Sequence, residues 1–529
     1  MRFLRLLCCF LSAAGLFASD VYPPPRFTDP QRVEKLRSAS PEVIEIFRRF
    51  AAEHKIPGIA WGIVIDSHIT DIGFFGFQDL RGSHVDAGTV FRIASMTKSF
   101  TALAVLKLRD AGKLSLADPV SKWIPEFTTM PPPTRDSAPV TIRELLSHSA
   151  GFPEDNPWGD RQLARSETDL TNLLRAGIPF STPPGTRYEY SNYGFALLGR
   201  IVSRASGVPY EEYVETQILR PLGMNNTTFN FSSLPAGRRA RGYRLQPDGT
   251  YSEEEPLPNG AFASMGGLLT DAGDLGKYVA FHLSAWPARD DPDPGPVRRS
   301  SVREMSSLWR PAYLTARRAG DSVEASASGY GFGLRISSDC RFEHIVGHGG
   351  GLPGFGSYML WLPDYGVGLF AMTNLTYAGA AEPINRALGV LLQTGGLQKR
   401  ELPPSPFLTE AREQLTKLWT RWDDAEAERL AATNLFLDKP AVQRREEIRK
   451  LKEEVGACNS AGPLRAENWL RGQFNLRCEH GIVGVFLTLA PTQPPRVQYL
   501  NYQRIPNEEF RLTAPTGAPA GVSCASQSK

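Results

Sequence analysis

Apolar side chains recur at three- and four-residue spacing across residues 100–108, in a stretch dominated by Ala, Leu and Lys. This pattern predicts a buried helix that stops at Gly112. Ser95 falls at or near its first turn, and Lys98, three residues later, projects from the same helix face. The sequence therefore predicts that a hydroxyl and an amine are neighbours at the start of a buried helix.

A serine beside a lysine is a reactive pair only when the lysine is buried. The alcohol needs a base to take its proton, and an ammonium becomes a base when burial lowers its pKa. The amide dipoles at the helix start would also favour negative charge that develops at Ser95. An ordinary helix start is the alternative, because Ser-x-x-Lys matches arise by chance and the chain end contains a second one, Ser526 with Lys529.

The β-branched and aromatic runs of the first 400 residues lie near the two ends of that region. Residues 58–65 and the more broken run at 70–75 predict two antiparallel strands, and residues 358–362 and 367–372 predict a hairpin. We therefore expect one antiparallel sheet shared by both ends and flanked by helices, with a helical subdomain between them. The predicted helices are residues 41–54, 141–146, 195–202, 266–283 and 384–392.

A Pro-rich segment, Leu-Pro-Pro-Ser-Pro at 402–406, marks a boundary in the chain. Before this boundary, the expected fold class is α/β, in an α+β arrangement. After it, we expect a separate small α+β domain that resembles an NTF2-like cone. In this tail, periodic apolar positions predict helices at 408–422 and 440–455 and strands at 474–478, 483–489 and 496–502.

Composition and charge exclude some classes of protein. The 529 residues are 41% hydrophobic and 22% charged, which is typical of a globular chain with two or more domains. The net charge of +3 is small and the basic residues are scattered, so nothing indicates a nucleic-acid partner. Arg2 and Arg5 precede an apolar run at residues 6–17, a pattern typical of a cleaved secretory signal. We expect an exported protein, periplasmic or secreted, with no stable membrane span; an uncleaved anchor is the alternative.

Cysteine and histidine usage predicts neither a disulfide scaffold nor a metal centre. Removal of the signal would leave four cysteines, too few to staple so long a chain, although Cys458 and Cys478 are a candidate bridge. His344 and His348 have the spacing of helical metal ligands, but their Gly-rich segment does not form a stable helix. We therefore expect no metal site. The four remaining cysteines are Cys340, Cys458, Cys478 and Cys524.

Three short motifs follow one another in a fixed order: Ser-Met-Thr-Lys at 95–98, Tyr-Ser-Asn at 190–192 and His-Gly-Gly at 348–350. Together they resemble the ordered triplet of the serine β-lactamase and penicillin-binding-protein superfamily. The nearest pattern is the class C β-lactamase-like branch, which includes D-alanyl-D-alanine carboxypeptidases, D-amino-acid peptidases and esterases. The resemblance covers about residues 30–395. Segments that look like this branch's framework are 145–151, 184–185, 221–224 and 266–268.

The resemblance implies a role for each residue of the first two motifs. Ser95 would attack a carbonyl and form an acyl-enzyme. Lys98 and Tyr190 would share the proton transfer, and the identity of the formal base stays open because the two groups titrate together. Asn192 would hold the substrate amide and orient Lys98. A packed core tyrosine and a helix-capping asparagine are the alternatives.

The resemblance also implies that the third motif lies on an edge strand beside the serine. There, small residues let the substrate backbone approach. His348, Gly349 and Gly350 would bind substrate, and the oxyanion hole would combine the backbone N–H groups of Ser95 and Gly351. Lys-Thr-Gly occupies this place in the β-lactamases. Histidine is only fractionally charged at neutral pH and anchors a carboxylate less well than lysine, which puts efficient β-lactam hydrolysis in doubt. A purely structural His348 is the alternative.

The combined expectation is a serine hydrolase that uses an acyl-enzyme on Ser95 and needs no cofactor. The substrate is a small molecule or a peptide: a D-amino-acid peptide, as for a peptidase or carboxypeptidase, or an ester, with weak β-lactamase activity compatible with the motifs. The alternative is a receptor that acylates slowly or only binds cell-wall peptide or a β-lactam. No partner for the tail is indicated. The expected domains are a signal peptide (1–19), a β-lactamase-like hydrolase domain (20–398), a Pro-rich linker (399–406) and an accessory domain (407–529).

Overall fold

The computed structural model describes residues 22–156, 158–319 and 322–508. The signal peptide expected at residues 1–19 and the second Ser-x-x-Lys at Ser526 lie outside these residues. The described chain divides into two compact units, one of residues 27–400 and one of residues 401–508 together with residues 22–26. Within the described ranges, no helix combines the length and the apolar character that crossing a bilayer requires.

The larger unit is built on one antiparallel sheet. Its strands are β1 (Gly58–Ile65), β2 (His68–Gly76), β3 (Phe91–Arg92), β4 (Tyr243–Leu245), β5 (Tyr251–Glu253), β6 (Leu269–Thr270), β7 (Arg310–Ala319), β8 (Ser322–Tyr330), β9 (Arg335–Asp339), β10 (Ile345–Leu352), β11 (Phe355–Leu362) and β12 (Val367–Thr373). Eight of them form a sheet in the order β2-β1-β12-β11-β10-β9-β8-β7, and β3–β6 and β4–β5 form small pairs. Because β1 pairs with β12, the predicted sheet shared by both ends of this region is confirmed.

Helices cover both faces of this sheet. Trp61 of β1 lies in the cluster that includes Phe47, and Val64 of the same strand lies in the cluster that includes Phe100. Strand β1 is therefore buried on both faces, as its continuous apolar run requires. The helices are α1 (Arg32–Arg37), α2 (Ser40–Glu53), α3 (Thr97–Asp110), α4 (Val120–Trp123), α5 (Ile142–Leu146), α6 (Glu167–Ala176), α7 (Asn192–Ser206), α8 (Tyr210–Val214), α9 (Ala263–Gly266), α10 (Ala272–Ser284), α11 (Arg299–Met305) and α12 (Ala381–Gln393).

Helix α3 begins in the buried interior of the larger unit. It follows directly on a 3₁₀ turn at Ala94–Met96, and every residue of its first two turns is buried. Phe100 stacks on Tyr278 of α10 with ring centroids 3.8 Å apart. Packing on all sides therefore removes Lys98, in the first turn, from solvent.

The sequence prediction expected β10 only from the family resemblance and missed the strands from β7 to β9. Their exposed, basic or Gly-rich segments lack the alternation that marks a half-buried strand. Pairing with neighbours nevertheless continues along them, from Arg310 opposite Tyr330 at one end of the β7–β8 hairpin to Ala319 opposite Ser322 at the other. The helix predicted at 266–283 was also wrong at its start, because β6 separates α9 from α10.

The smaller unit is an α+β fold with its own core, which includes Leu415, Trp419, Phe474 and Val485. Its helices and strands are α13 (Pro406–Thr420), α14 (Asp424–Leu430), α15 (Leu435–Asp438), α16 (Ala441–Val455), β13 (Cys458–Ala461), β14 (Arg465–Asn468), β15 (Arg471–Cys478), β16 (Gly481–Leu489) and β17 (Val497–Ile505). The sheet order is β13-β15-β16-β17, with β14 also paired to β15, and a Cys458–Cys478 disulfide joins β13 to β15. The short strands β13 and β14 were not predicted, and the NTF2-like resemblance stays a prediction.

Candidate active site

Ser95 lies in a tightly held turn between strand β3 and helix α3. Ala94, just before it, has φ of +48°, a left-handed conformation that costs a non-glycine residue about 1 kcal/mol or more. The Thr97 hydroxyl donates to the Ala94 carbonyl at 2.7 Å and accepts from the Leu268 N–H at 3.2 Å. Pairing of β3 with β6 holds the same turn from the other side. The surrounding structure therefore fixes the strained backbone that presents Ser95.

Lys98 is fully buried directly behind Ser95. Its Nζ lies 3.0 Å from Ser95 Oγ, 2.7 Å from Asn192 Oδ1 and 2.7 Å from the Met265 carbonyl oxygen. Burial lowers the pKa of the Lys98 amine to about 7, against the attraction of the Asp160 and Asp155 carboxylates. The amine can therefore exist without its proton at neutral pH, in hydrogen-bond contact with the serine hydroxyl.

Tyr190 completes a triangle with these two groups. Its phenol lines the same cleft as Ser95, and its ring centroid lies 4.9 Å from Lys98 Nζ. Burial raises the pKa of the Tyr190 phenol well above its ordinary value, so the phenol keeps its proton at neutral pH. The site therefore brings a protonated phenol and an amine that readily loses its proton close to one serine.

Asn192 is the first residue of α7, and three contacts fix its position. The Asp155 carboxylate accepts the backbone N–H groups of Asn192 and Tyr193 at 2.7 and 2.8 Å. Asn192 Nδ2 donates to Asn156 Oδ1, which leaves Oδ1 of Asn192 to accept from Lys98. The side chain therefore lies where the sequence expected it, in contact with the lysine that it was expected to orient.

His148 holds the segment that carries Tyr190, and the sequence analysis did not assign it a role. Its carbonyl accepts the Glu189 N–H at 2.8 Å, and its Nδ1 accepts the Ser191 N–H at 3.1 Å. The imidazole packs on the Tyr190 ring with centroids 4.3 Å apart. Burial lowers the pKa of His148 well below its ordinary value, which keeps Nδ1 free to accept. The only signal in the sequence was its place in the Leu-Leu-Ser-His-Ser-Ala-Gly framework segment.

His348 lies at the wall of the site but is held by other groups of the protein. Its Nδ1 donates to the Gly349 carbonyl at 2.6 Å, so its Nε2 accepts from the Tyr330 hydroxyl at 2.7 Å. Burial and the positive charge of Arg335 lower the pKa of His348 well below its ordinary value. The imidazole is therefore neutral and has no free ring nitrogen with which to anchor a carboxylate.

The strand that carries the third motif is internal to the sheet, which corrects the expectation of an edge strand. Strand β9 pairs only with Ile345–Gly347, so within the described chain the rest of β10 has no ladder partner on that side. A Cβ on Gly350 would lie 2.2 Å from the Ile93 carbonyl oxygen, and one on Gly351 would lie 2.7 Å from the Tyr377 ring. The glycines therefore let β10 approach the Ser95 turn and leave an open edge beside it.

An open cleft of about 380 Å³ brings the predicted residues together. Ser95, Tyr190, His348, Gly349 and Gly351 line it, while Lys98 and Asn192 are buried behind Ser95, and Gly350 packs on the Ser95 turn. No group of three His, Cys, Asp or Glu side chains is arranged as metal ligands in the part of the chain that the structure describes.

Two charged residues of the cleft, Arg335 and Asp160, were not predicted. Arg335 starts β9, is exposed, and lies with its guanidinium carbon 6.0 Å from the Tyr190 ring centroid. Asp160 is buried in a 3₁₀ turn at Gly159–Arg161 and accepts from the Tyr377 hydroxyl at 3.2 Å. Neither belongs to a recognisable motif, so only the tertiary structure identifies them.

Two curated proteins are similar to this chain in sequence. Protein flp of Staphylococcus aureus strain MW2 is 30% identical over 323 residues, which cover 60% of each chain. Beta-lactamase-like protein 2 of Dictyostelium discoideum is 33% identical over 291 residues, 53% of this chain and 52% of that one. The matched region thus spans about 60% or less of the length of these curated relatives.

Solved structures share the fold. The octameric penicillin-binding protein homologue from Pyrococcus abyssi aligns with a TM-score of 0.57 and 24% identity, over 87% of this chain and 91% of that one. D-alanine carboxypeptidase AmpC from Burkholderia cenocepacia aligns with a TM-score of 0.52 and 21% identity, over 68% of this chain and 99% of that one. Residues 1–400 are only about three quarters of the sequence, so the first alignment includes part of the smaller unit.

A family model described as Beta-lactamase matches residues 43–393, well over half of the chain and all of the strands and helices that carry the cleft. The ordered Ser-x-x-Lys, Tyr-x-Asn and His-Gly-Gly motifs lie within this match and converge on one serine. The chain therefore belongs to the beta-lactamase family, within the serine β-lactamase and penicillin-binding-protein superfamily.

Proposed function

We propose that this protein is an exported serine hydrolase that forms an acyl-enzyme on Ser95 and cleaves D-amino-acid peptides with a free C-terminal carboxylate. The observation that carries the proposal is the buried Lys98 amine, in hydrogen-bond contact with both Ser95 Oγ and Asn192 Oδ1. A solvated lysine would hold its proton and leave the alcohol unreactive. Burial supplies the base that the serine needs.

Lys98 takes the serine proton in this mechanism. The neutral amine accepts it as Ser95 Oγ bonds to the substrate carbonyl carbon, and the N–H groups of Ser95 and Gly351 stabilise the oxyanion. The C–N bond then breaks, and the leaving amine takes a proton from Tyr190, which recovers one from the Lys98 ammonium. Water then attacks the acyl-enzyme and passes a proton through Tyr190 to Lys98. Lys98 returns this proton to Ser95 Oγ as the ester bond breaks. Because burial keeps the Tyr190 phenol protonated at neutral pH, the phenol can relay a proton from the Lys98 ammonium to the leaving amine.

Arg335, rather than His348, anchors the substrate carboxylate. Both ring nitrogens of His348 are engaged within the protein, whereas Arg335 is exposed in the cleft and forms no ion pair with any described carboxylate. A guanidinium binds a carboxylate with two parallel hydrogen bonds. This anchor supports a carboxypeptidase over a general esterase. The carboxypeptidase named for the Burkholderia cenocepacia structure supports the preference for D-alanyl substrates.

Two separate features of the chain support export. The charged, then apolar, then small-residue pattern of residues 1–19 is that of a secretory signal. The Cys458–Cys478 disulfide is the kind of bond that persists in an oxidising compartment. Both features support a periplasmic or secreted location.

Replacement of the nucleophile gives the first test. Ser95→Ala should abolish labelling by a fluorophosphonate probe and lower turnover of D-alanyl-D-alanine by at least about 1,000-fold, because no other group can form the acyl-enzyme. Ser526→Ala, in the chain's other Ser-x-x-Lys, is the matched control and should change neither. Turnover that survives Ser95→Ala would exclude the mechanism. A burst of acylation without steady-state turnover would instead indicate a slowly acylating receptor.

The Lys98 pKa predicts how stability changes with pH. Between about pH 7 and the ordinary lysine value of 10.5, the unfolded chain holds a proton that the folded chain lacks, so the folded state gains stability as pH rises. The free energy of unfolding should rise between pH 7 and 9 by up to about 1.4 kcal/mol per pH unit relative to Lys98→Met. Urea unfolding measures this, with Lys122→Met as the control for an exposed lysine. Parallel curves for wild type and Lys98→Met would contradict a neutral amine.

Removal of the Arg335 charge should change substrate preference. Arg335→Met should lower kcat/KM for D-alanyl-D-alanine by about 10- to 1,000-fold, because two charge-assisted hydrogen bonds to the carboxylate are lost. Turnover of the C-terminally amidated dipeptide should change less than about threefold. Arg341→Met, an exposed arginine beyond the end of β9, is the matched control. Equal losses on both substrates would assign Arg335 a structural role instead.

A further inference from the structure

Asp160 is a buried carboxylate at the wall of the catalytic cleft. The residue is only 5% exposed, yet it lines the same cavity as Ser95. The preceding Gly159 packs so closely on Asn192 that a Cβ there would lie 2.5 Å from the asparagine side chain. The turn that carries Asp160 is therefore fixed against the catalytic residues.

This carboxylate has few partners for its charge. The Tyr377 hydroxyl donates to Oδ2 at 3.2 Å, and no described Lys, Arg or His forms an ion pair with Asp160. Burial raises its pKa, and attraction to Lys98 is the largest effect that opposes the rise. When Lys98 is neutral, as the mechanism requires, that attraction is lost. Asp155 differs, because both of its oxygens accept backbone N–H groups of α7.

Asp160 and Arg335 lie towards opposite ends of the open part of β10. Arg335 pairs with Gly347, and Tyr377, which binds Asp160, packs against Gly351. Gly347 and Gly351 are four residues apart along the strand, which is a distance of about 13 Å. Gly350 contacts the Ser95 turn between them. A substrate stretched along β10 therefore meets a cation on one side of the nucleophile and an anion on the other.

We propose that Asp160 binds the protonated amino group of the substrate, so that the enzyme selects short peptides with both a free amine and a free carboxylate. This inference rests on the proposed function and adds a second anchor to it. Arg335 holds the leaving residue by its carboxylate, and Asp160 holds the acyl residue by its ammonium. An extended di- or tripeptide spans about 7–11 Å, which suits two anchors on either side of Ser95.

A pair of substrates that differ only at the amino end tests the assignment. Wild-type enzyme should cleave D-alanyl-D-alanine at least about tenfold better, in kcat/KM, than its N-acetyl derivative. Asp160→Asn should lower kcat/KM for the free dipeptide by about 10- to 100-fold and change that for the acetylated one less than about threefold. Glu154→Gln removes a charge from the same loop outside the cleft lining and should preserve the preference.

Protection of Ser95 from the fluorophosphonate probe separates this inference from the catalytic mechanism. The free dipeptide should protect wild-type Ser95 better than the acetylated one, and Asp160→Asn should remove the difference while Ser95 still labels. Two results would overturn the amine site without affecting the proposed hydrolase. One is Ser95 labelling that both dipeptides prevent equally well. The other is an equal loss of kcat/KM on both dipeptides in Asp160→Asn. Absence of Ser95 labelling in the wild type would overturn the proposed function itself.

Discussion

The burial of one lysine amine is the interaction on which the rest of the site depends. Lys98 Nζ has three oxygen neighbours, from Ser95, Asn192 and Met265, and no contact with solvent. Those neighbours satisfy its hydrogen bonds, but the dehydrated charge remains unfavourable and its pKa falls to about 7. Burial of Lys98 therefore destabilises the folded protein when the amine is charged, and it provides a base at neutral pH.

Each part of the architecture serves this arrangement. Helix α3 provides the apolar surroundings, and the strained turn at Ala94 directs Ser95 into the cleft. His148 holds Tyr190 in place from behind, while Asp155 fixes the start of α7 and with it Asn192. The glycines of β10 let the sheet close on the Ser95 turn. Segments far apart in sequence therefore reach one serine because rigid elements hold them, which a preorganised site requires.

Much of the site was predictable because its residues carry local signals. The Ser95–Lys98 spacing places both on one helix face, and the runs around β1, β11 and β12 show the continuous apolar character of buried strands. The strands from β7 to β9 were not predictable, because backbone pairing rather than side-chain pattern stabilises them, and β10 was expected only from the family resemblance. Arg335 and Asp160 were missed for a related reason. Only the folding of the chain brings these unpaired charges to the cleft, and no pattern in the neighbouring residues indicates this position.

The charge state of Lys98 at neutral pH is the central claim, and nuclear magnetic resonance can measure it directly. Protein labelled with ¹³C at the lysine Cε would be titrated from pH 5 to 10, with the Lys98 resonance assigned by its absence from Lys98→Met. We expect a midpoint near pH 7 for this one signal. A midpoint close to the ordinary lysine value of 10.5 would mean that Lys98 keeps its proton and cannot activate Ser95.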